Sequence, residues 1–132
     1  MIRCLFRQLT QAATVLLLAA SFVAHSPAAT FTVTDTVDAV DTAPGDGVCA
    51  TASASCTLRA AVQEANALAG ADTIDLPAAT YTLTLAGAGE NASATGDLDI
   101  LDDVTINGTG RSSTIIDGNL QDRLFDICIG PG

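Results

Sequence analysis

The sequence predicts a mainly β protein, the start of a coil of short parallel strands with one helix at its amino end. Three observations lead there. After Asp72, short alternating runs such as Thr80-Tyr81-Thr82-Leu83-Thr84-Leu85 recur about every ten residues between Gly, Asn and Asp turns. Only one stretch after residue 30 carries the apolar spacing of a helix, Leu58 to Leu68. Apolar residues make up 48% of the chain but aromatics only 4%, so the core must rely on Ile, Leu and Val. A small antiparallel β-sandwich uses the same short strands and turns. No exact repeat is visible, and spacing alone does not separate the two folds.

The amino terminus reads as an export signal. Arg3 and Arg7 precede an apolar run from Ala12 to Ala24, and Ser26-Pro27-Ala28 supplies small residues for cleavage. Residues 1–28 are therefore assigned as a signal peptide cut after Ala28. A retained anchor is the alternative, but the run falls short of the roughly 20 residues that span a bilayer. Cys4 lies too far upstream to become a lipid-modified first residue. The expected location is secreted or cell-surface, with no membrane span once the signal is removed.

Beyond that cut the chain keeps Arg59, Arg111 and Arg123 against all fifteen acids, a net charge of −12. Such a field repels phosphate backbones and anionic lipid, so no nucleic-acid partner is expected. Solubility outside the cell is the plain use of these acids, and calcium binding the other.

Phe31-Thr32-Val33-Thr34 alternates as a half-buried strand. Asp35, Asp38, Asp41 and Asp46 follow among small residues, with a turn at Pro44-Gly45-Asp46-Gly47. A calcium loop would need a regular D-x-[DN]-x-[DN]-G order and a distal Glu, which are missing. A solvated loop is expected. Cys49 and Cys56 flank a run of Ala, Ser and Thr that can close, and in an exported protein they read as a disulfide. Free thiols or half of a metal site are the alternatives, and no His follows residue 25 to complete such a site. Cys128 is left over, as an unpaired thiol or through truncation.

Thr57 suits a helix N-cap. Leu58, Ala61, Val62, Ala65 and Leu68 form the apolar face, with Arg59, Gln63, Glu64 and Asn66 mostly outside it. Gly70 is expected as the C′ residue.

Cys56-Thr57-Leu58-Arg59-Ala60-Ala61-Val62 resembles the signature of the CSLREA domain. The flanks are similar too, in Gly47-Val48-Cys49, Glu64-Ala65-Asn66 and Asp72-Thr73-Ile74. The resemblance covers about residues 31 to 127. It implies an exported bacterial protein continuing as a right-handed parallel β-helix, pectate-lyase-like in architecture, and so favours the coil over the sandwich. Two positions depart from the signature. Thr57 replaces Ser, and both hydroxyls cap. Ala60 replaces Glu, which removes the reciprocal half of a capping box. A weaker helix start follows, and Arg59 must pair with an upstream Asp or stay solvated.

From Asp72 the expected strands are Thr73–Leu76, Thr80–Leu85, Leu98–Leu101, Val104–Asn107, Thr114–Asp117 and Leu124–Ile127, with a loose polar loop from Gly87 to Gly96. Leu98 to Leu124 is one expected circuit of three strands. Ile100, Val104, Ile106, Ile115, Leu124 and Ile127 are expected to stack inward. The domain plan is residues 29–70 as a cap and 71–132 as the first circuits, apparently truncated. The helix would plug one open end of the coil, while the carboxyl end has no plug.

Chemistry is thinly represented. With His25 inside the signal, no Ser-His or Cys-His pair can form after cleavage. Asp97, Asp99, Asp102 and Asp103 cluster around one strand. They could act as paired carboxylates on a glycosidic bond or hold calcium, the single candidate cofactor. The plain expectation is exposed turn and strand residues. Arg111 and Arg123 could meet an acidic sugar. The first functional expectation is an extracellular or cell-surface structural or adhesive module without evident catalysis, facing extracellular polysaccharide or cell-surface material. The alternative is the amino-terminal part of a secreted polysaccharide lyase or hydrolase.

Overall fold

A computed structural model of the chain describes residues 27–120 and 123–127. The body of the expected signal peptide, with Cys4, and the leftover Cys128 lie outside these residues. Among them the protein is mainly strands with one helix. No described helix is long and apolar enough to cross a membrane.

The strands are β1 (Thr30–Thr32), β2 (Asp72–Leu76), β3 (Ala79–Thr82), β4 (Leu98–Ile100), β5 (Val104–Gly108), β6 (Thr114–Asp117) and β7 (Phe125–Ile127). Helix α1 (Leu58–Ala67) lies between β1 and β2. Every described pairing is parallel. Parallel neighbours cannot be joined by a tight turn, so the chain must leave each sheet before returning to it. It does so in a fixed order. β2, β3 and β4 each enter a different sheet, and β5, β6 and β7 then rejoin those sheets in the same order. β1 adds to the free side of β2, giving the order β1-β2-β5.

Register sets what stacks on what. Phe31, Ile74 and Ile106 share one column across the first sheet. Tyr81 lies beside Ile116, and Leu98 beside Phe125. Leu98 thus has its register partner at Phe125, one residue past the expected Leu124. Phe31, Val33, Ile74, Leu76, Tyr81, Leu83 and Leu98 are buried together with Leu58, Ala61, Val62 and Ala65 of the helix. Removing each of the larger aliphatic or Phe side chains from water contributes about 1.5–3 kcal/mol.

Two of the residues expected to stack inward do not. Ile115 is 47% exposed and Ile127 is 62% exposed. Ile115 pairs with the exposed Thr80, while its neighbour Ile116 takes the Tyr81 column and packs on the core. Two adjacent Ile cannot face the same side of a strand, and the buried Tyr81 decides which one turns in. Ile127 lies beside the half-buried Ile100 at the edge of its sheet, with no described strand over it. Ile100, Val104, Ile106 and Leu124 do pack against the core.

The strand expected over Thr80–Leu85 ends at Thr82. The N–H groups of Thr84 and Leu85 turn instead to the Asp38 carboxylate, at 2.6 and 2.8 Å. A carboxylate offers these donors a charged acceptor, a stronger partner than a carbonyl.

Helix α1 starts where the sequence places it. The Thr57 hydroxyl accepts from Ala60 N at 3.2 Å and donates to Ala39 O at 2.6 Å. Leu68 is the C-cap and its N–H bonds Glu64 O, so Gly70 falls one position later than expected, at φ +138°. Ala60 is completely buried, so a Glu there would lie in the packed interior.

Candidate functional site

The helix has no solvated face over most of its length: Leu58 through Ala65 are all buried. This corrects the expectation for Arg59, Gln63 and Glu64, which the apolar periodicity puts off the core. Each of these polar side chains is matched by a loop. Arg59 is the hub. Its Nε donates to Asp38 Oδ1 at 2.5 Å and its Nη2 to Asp38 Oδ2 at 3.2 Å. Nη2 also reaches Gly96 O at 2.8 Å, and Nη1 reaches Ser93 O and Asp97 O at 3.0 and 3.4 Å. All five guanidinium donors are thereby used. The two side chains of the pair are 0% and 1% exposed. Arg59 therefore takes the upstream-Asp alternative.

Asp38 is pulled two ways. Burial raises its pKa. The hydrogen bond from Arg59, the N–H groups of Leu85 and Thr84 and the Arg59 charge together outweigh burial and hold it below the ordinary carboxylate value.

Gln63 and Asn66 continue the same stripe one and two turns along. Gln63 accepts Asp41 N at 2.8 Å and donates to Ala92 O and Ser93 O, both at 3.2 Å. Asn66 donates to Asp99 O at 2.7 Å and accepts Leu101 N at 2.8 Å, holding the backbone on either side of Ile100 where β4 ends. On its own side, Glu64 accepts the N–H groups of Gly45, at 2.6 Å, and Gly47.

Two expected loops are corrected by these contacts. The Asp35–Asp46 segment is only partly solvated, since Asp41 is buried and accepts Ala43 N and Ala50 N at 2.8 and 2.7 Å. The Gly87–Gly96 segment is not loose. Glu90 gathers the N–H groups of Ala92, Ala94 and Thr95, and the buried Ser93 ties both ways to Asp99. Gly96 is required at its place: φ is +66°, and a Cβ would stand 2.4 Å from Gly87 O.

Cys49 and Cys56 are bonded, with Cα atoms 5.0 Å apart. The bridge closes the loop that enters the helix cap. Cutting so short a loop removes about 2–3 kcal/mol on the chain-entropy relation. The Cys49→Ser, Cys56→Ser double variant should unfold at correspondingly lower denaturant by circular dichroism.

The structure divides the four aspartates of the proposed calcium site. Asp97 and Asp99 are buried, while Asp102 and Asp103 are exposed on the turn after β4. Asp126 of β7 joins the first two instead. One ligand oxygen from each of Asp97, Asp99 and Asp126 lies within 4.8 Å of the others. Asp99 stands directly beside Asp126 in register, a like-charge pair that needs a counter-charge. Arg123 provides one. It bonds Asp97 Oδ2 at 2.7 Å and lies 3.4 Å from Asp126 Oδ2. Burial raises the Asp99 pKa; the Ser93 N–H lowers it, and the charges of Asp97, Glu90 and Asp126 add to the rise. A cation here would share its carboxylates with Arg123.

Arg111 lines an open cleft of about 320 Å³ with Leu76, Ile106, Gly108, Gly110, Thr114 and Ile116. Of the two Arg proposed for an acidic sugar, Arg111 borders this cleft and Arg123 is bound to carboxylates. Sequence reasoning missed the Arg59–Gln63–Asn66 stripe and Asp126. The signal for the first was present: positions 59, 63 and 66 have helical spacing, and each residue can hold several backbone groups. Asp126 is brought in only by strand register. No protein-family profile, curated protein or solved structure matches this chain.

Proposed function

We propose that this chain is the capped start of a right-handed parallel β-helix, an exported structural or adhesive module at the cell surface. One observation carries the reading. The described strands pass twice through the same three parallel sheets, and the helix packs chiefly against β2 and β4 of the first pass. That arrangement supports reading the chain as a coil with a lid at one end. The far edge supports it as well. β5, β6 and β7 have no described partner on their outer side, and half-buried Ile106 and Ile116 line the cleft there. A further circuit would cover both the open edges and the apolar interior. The signature around Cys56 to Val62, similar to the CSLREA domain, points to the same architecture and to export.

The side chains favour support over catalysis. The carboxylates best placed for sugar chemistry are bound into the fold, Asp97 to Arg123 and Asp99 to the Ser93 N–H. Calcium is the cofactor this reading allows, at Asp97, Asp99 and Asp126. The partner class is extracellular polysaccharide or other cell-surface material. The test is fractionation of bacteria expressing the full chain, with assay of the recovered protein on pectin-like polymers in calcium. Recovery from the surface or medium, with retention on polymer and no chain cleavage, is the expected result. Turnover of the polymer would replace the structural reading with the lyase or hydrolase alternative, and recovery only from the cytosol would remove export.

A further inference from the structure

Two buried carboxylate oxygens have no hydrogen-bond partner among the described residues, Asp99 Oδ1 and Asp72 Oδ2. Asp99 belongs to the acidic cluster around Arg123. Asp72 is not part of that group. It opens β2 and is completely buried. Its Oδ1 accepts the backbone N–H of Ala29 at 2.7 Å. Ala29 is held from its other side too, since its carbonyl accepts Thr73 N at 2.9 Å. The nitrogen of Ala29 is thus fixed against a buried carboxylate. An amide nitrogen there offers one donor and no charge. Burying an ionised carboxylate with an oxygen unmatched is strongly unfavourable, and a cation placed against it removes most of that penalty.

The position in the chain supplies such a cation. Ala29 directly follows Ser26-Pro27-Ala28, the small-residue cleavage sequence, and Pro27 and Ala28 are exposed. We infer that hydrolysis of the Ala28–Ala29 peptide bond creates an α-ammonium on Ala29, and that the buried Asp72 carboxylate is its binding site. Water adds across the amide. Ala28 departs with the new carboxylate, and the Ala29 nitrogen takes up protons to become –NH₃⁺. That group has three donors and a positive charge, enough to serve both oxygens of Asp72. The fold then carries a receptor for its own processed end, at the point where β1 begins to pair with β2. The inference rests on the export reading proposed above.

The chain contains no Lys, which makes a clean experiment available. After processing, the α-amine is the one primary amine in the protein. The full chain is expressed with its leader, the exported product is purified, and its first residue is read by mass spectrometry. The product is then treated with an amine-selective acylating reagent, folded and in urea. The expected first residue is Ala29. Labelling of the folded protein should be about tenfold slower than in urea, because only the deprotonated amine reacts and a paired ammonium holds its proton. Asp72→Asn should restore fast labelling. An exported product starting at another residue would overturn the inference and leave export standing. A product that keeps Met1 and is recovered only from the cytosol would overturn both. A product that starts at Ala29 yet labels equally fast folded and unfolded would overturn the pairing alone.

Discussion

Replacing Arg59 by Met is expected to destabilise the protein by about 3–5 kcal/mol, the usual loss when one partner of a buried ion pair is removed. Met fills much of the volume, so the loss is mainly electrostatic. The Asp38 carboxylate stays behind with its two backbone N–H donors but without its counter-charge. The carbonyls of Ser93, Gly96 and Asp97 lose their donor at the same time. Arg59→Lys should fall between the two, because an ammonium keeps the charge but cannot reach five acceptors in a planar fork. Denaturant midpoints of the three proteins check the order, and equal midpoints for Arg59→Met and the parent would show that the hub contributes nothing.

The same pair sets a pH dependence. The folded-state pKa of Asp38 lies below its unfolded value, so its stabilisation is present above about pH 4, near the unfolded carboxylate pKa. It is lost as pH falls through the lower folded value. Asp99 has the opposite sign, since its folded pKa is raised. Its ionisation weakens the fold above the unfolded pKa, and acid relieves that burden. The acid limb of the stability curve should therefore flatten in Asp38→Asn and steepen in Asp99→Asn.

Ile74→Ala should cost about 2–5 kcal/mol, the range for emptying a fully buried aliphatic site. Ile74 is 0% exposed in the central strand of the three-stranded sheet, between Phe31 and Ile106. Neighbours on both sides are fixed by backbone hydrogen bonds, so the cavity has little room to collapse. Ile115→Thr is the matched control. With nearly half its surface exposed and Thr80 beside it, it should change stability by no more than about 0.5 kcal/mol. Urea unfolding of both variants measures the difference. A loss of several kcal/mol at Ile115 would mean that β6 is turned the other way.

Much of the local structure was legible because it depends on neighbours in sequence. Thr57 caps the helix it precedes. Cys49 and Cys56 are close enough in the chain to join. Each expected strand after Asp72 has a counterpart within a few residues, because alternation of Ile, Leu and Val with polar residues is a period-two signal. The limits are equally specific. Ile115-Ile116 gives no alternation to read, and only the register against Tyr81 shows which one enters the core. Periodicity puts Arg59 off the apolar face and leaves open whether it pairs with an upstream Asp or stays solvated. Its burial depends on Asp38 and on carbonyls of residues 93, 96 and 97, far along the chain.

The candidate site divides in the same way. Asp97 and Asp99 could be picked out by sequence as carboxylates on one strand. Asp126 could not be added, nor Asp102 and Asp103 removed, without the parallel register that sets β7 beside β4.

By itself, then, the sequence determined the class of the protein: short strands, one capped helix and a small disulfide loop. Tertiary structure alone decided that every described pairing is parallel, that the helix is buried nearly all round, and that the Asp38 and 93–97 loops close over Arg59. The physical reason is range. Periodicity and capping are written within a few residues, whereas matching a buried charge, or choosing which Ile turns inward, depends on partners that only the folded chain brings together.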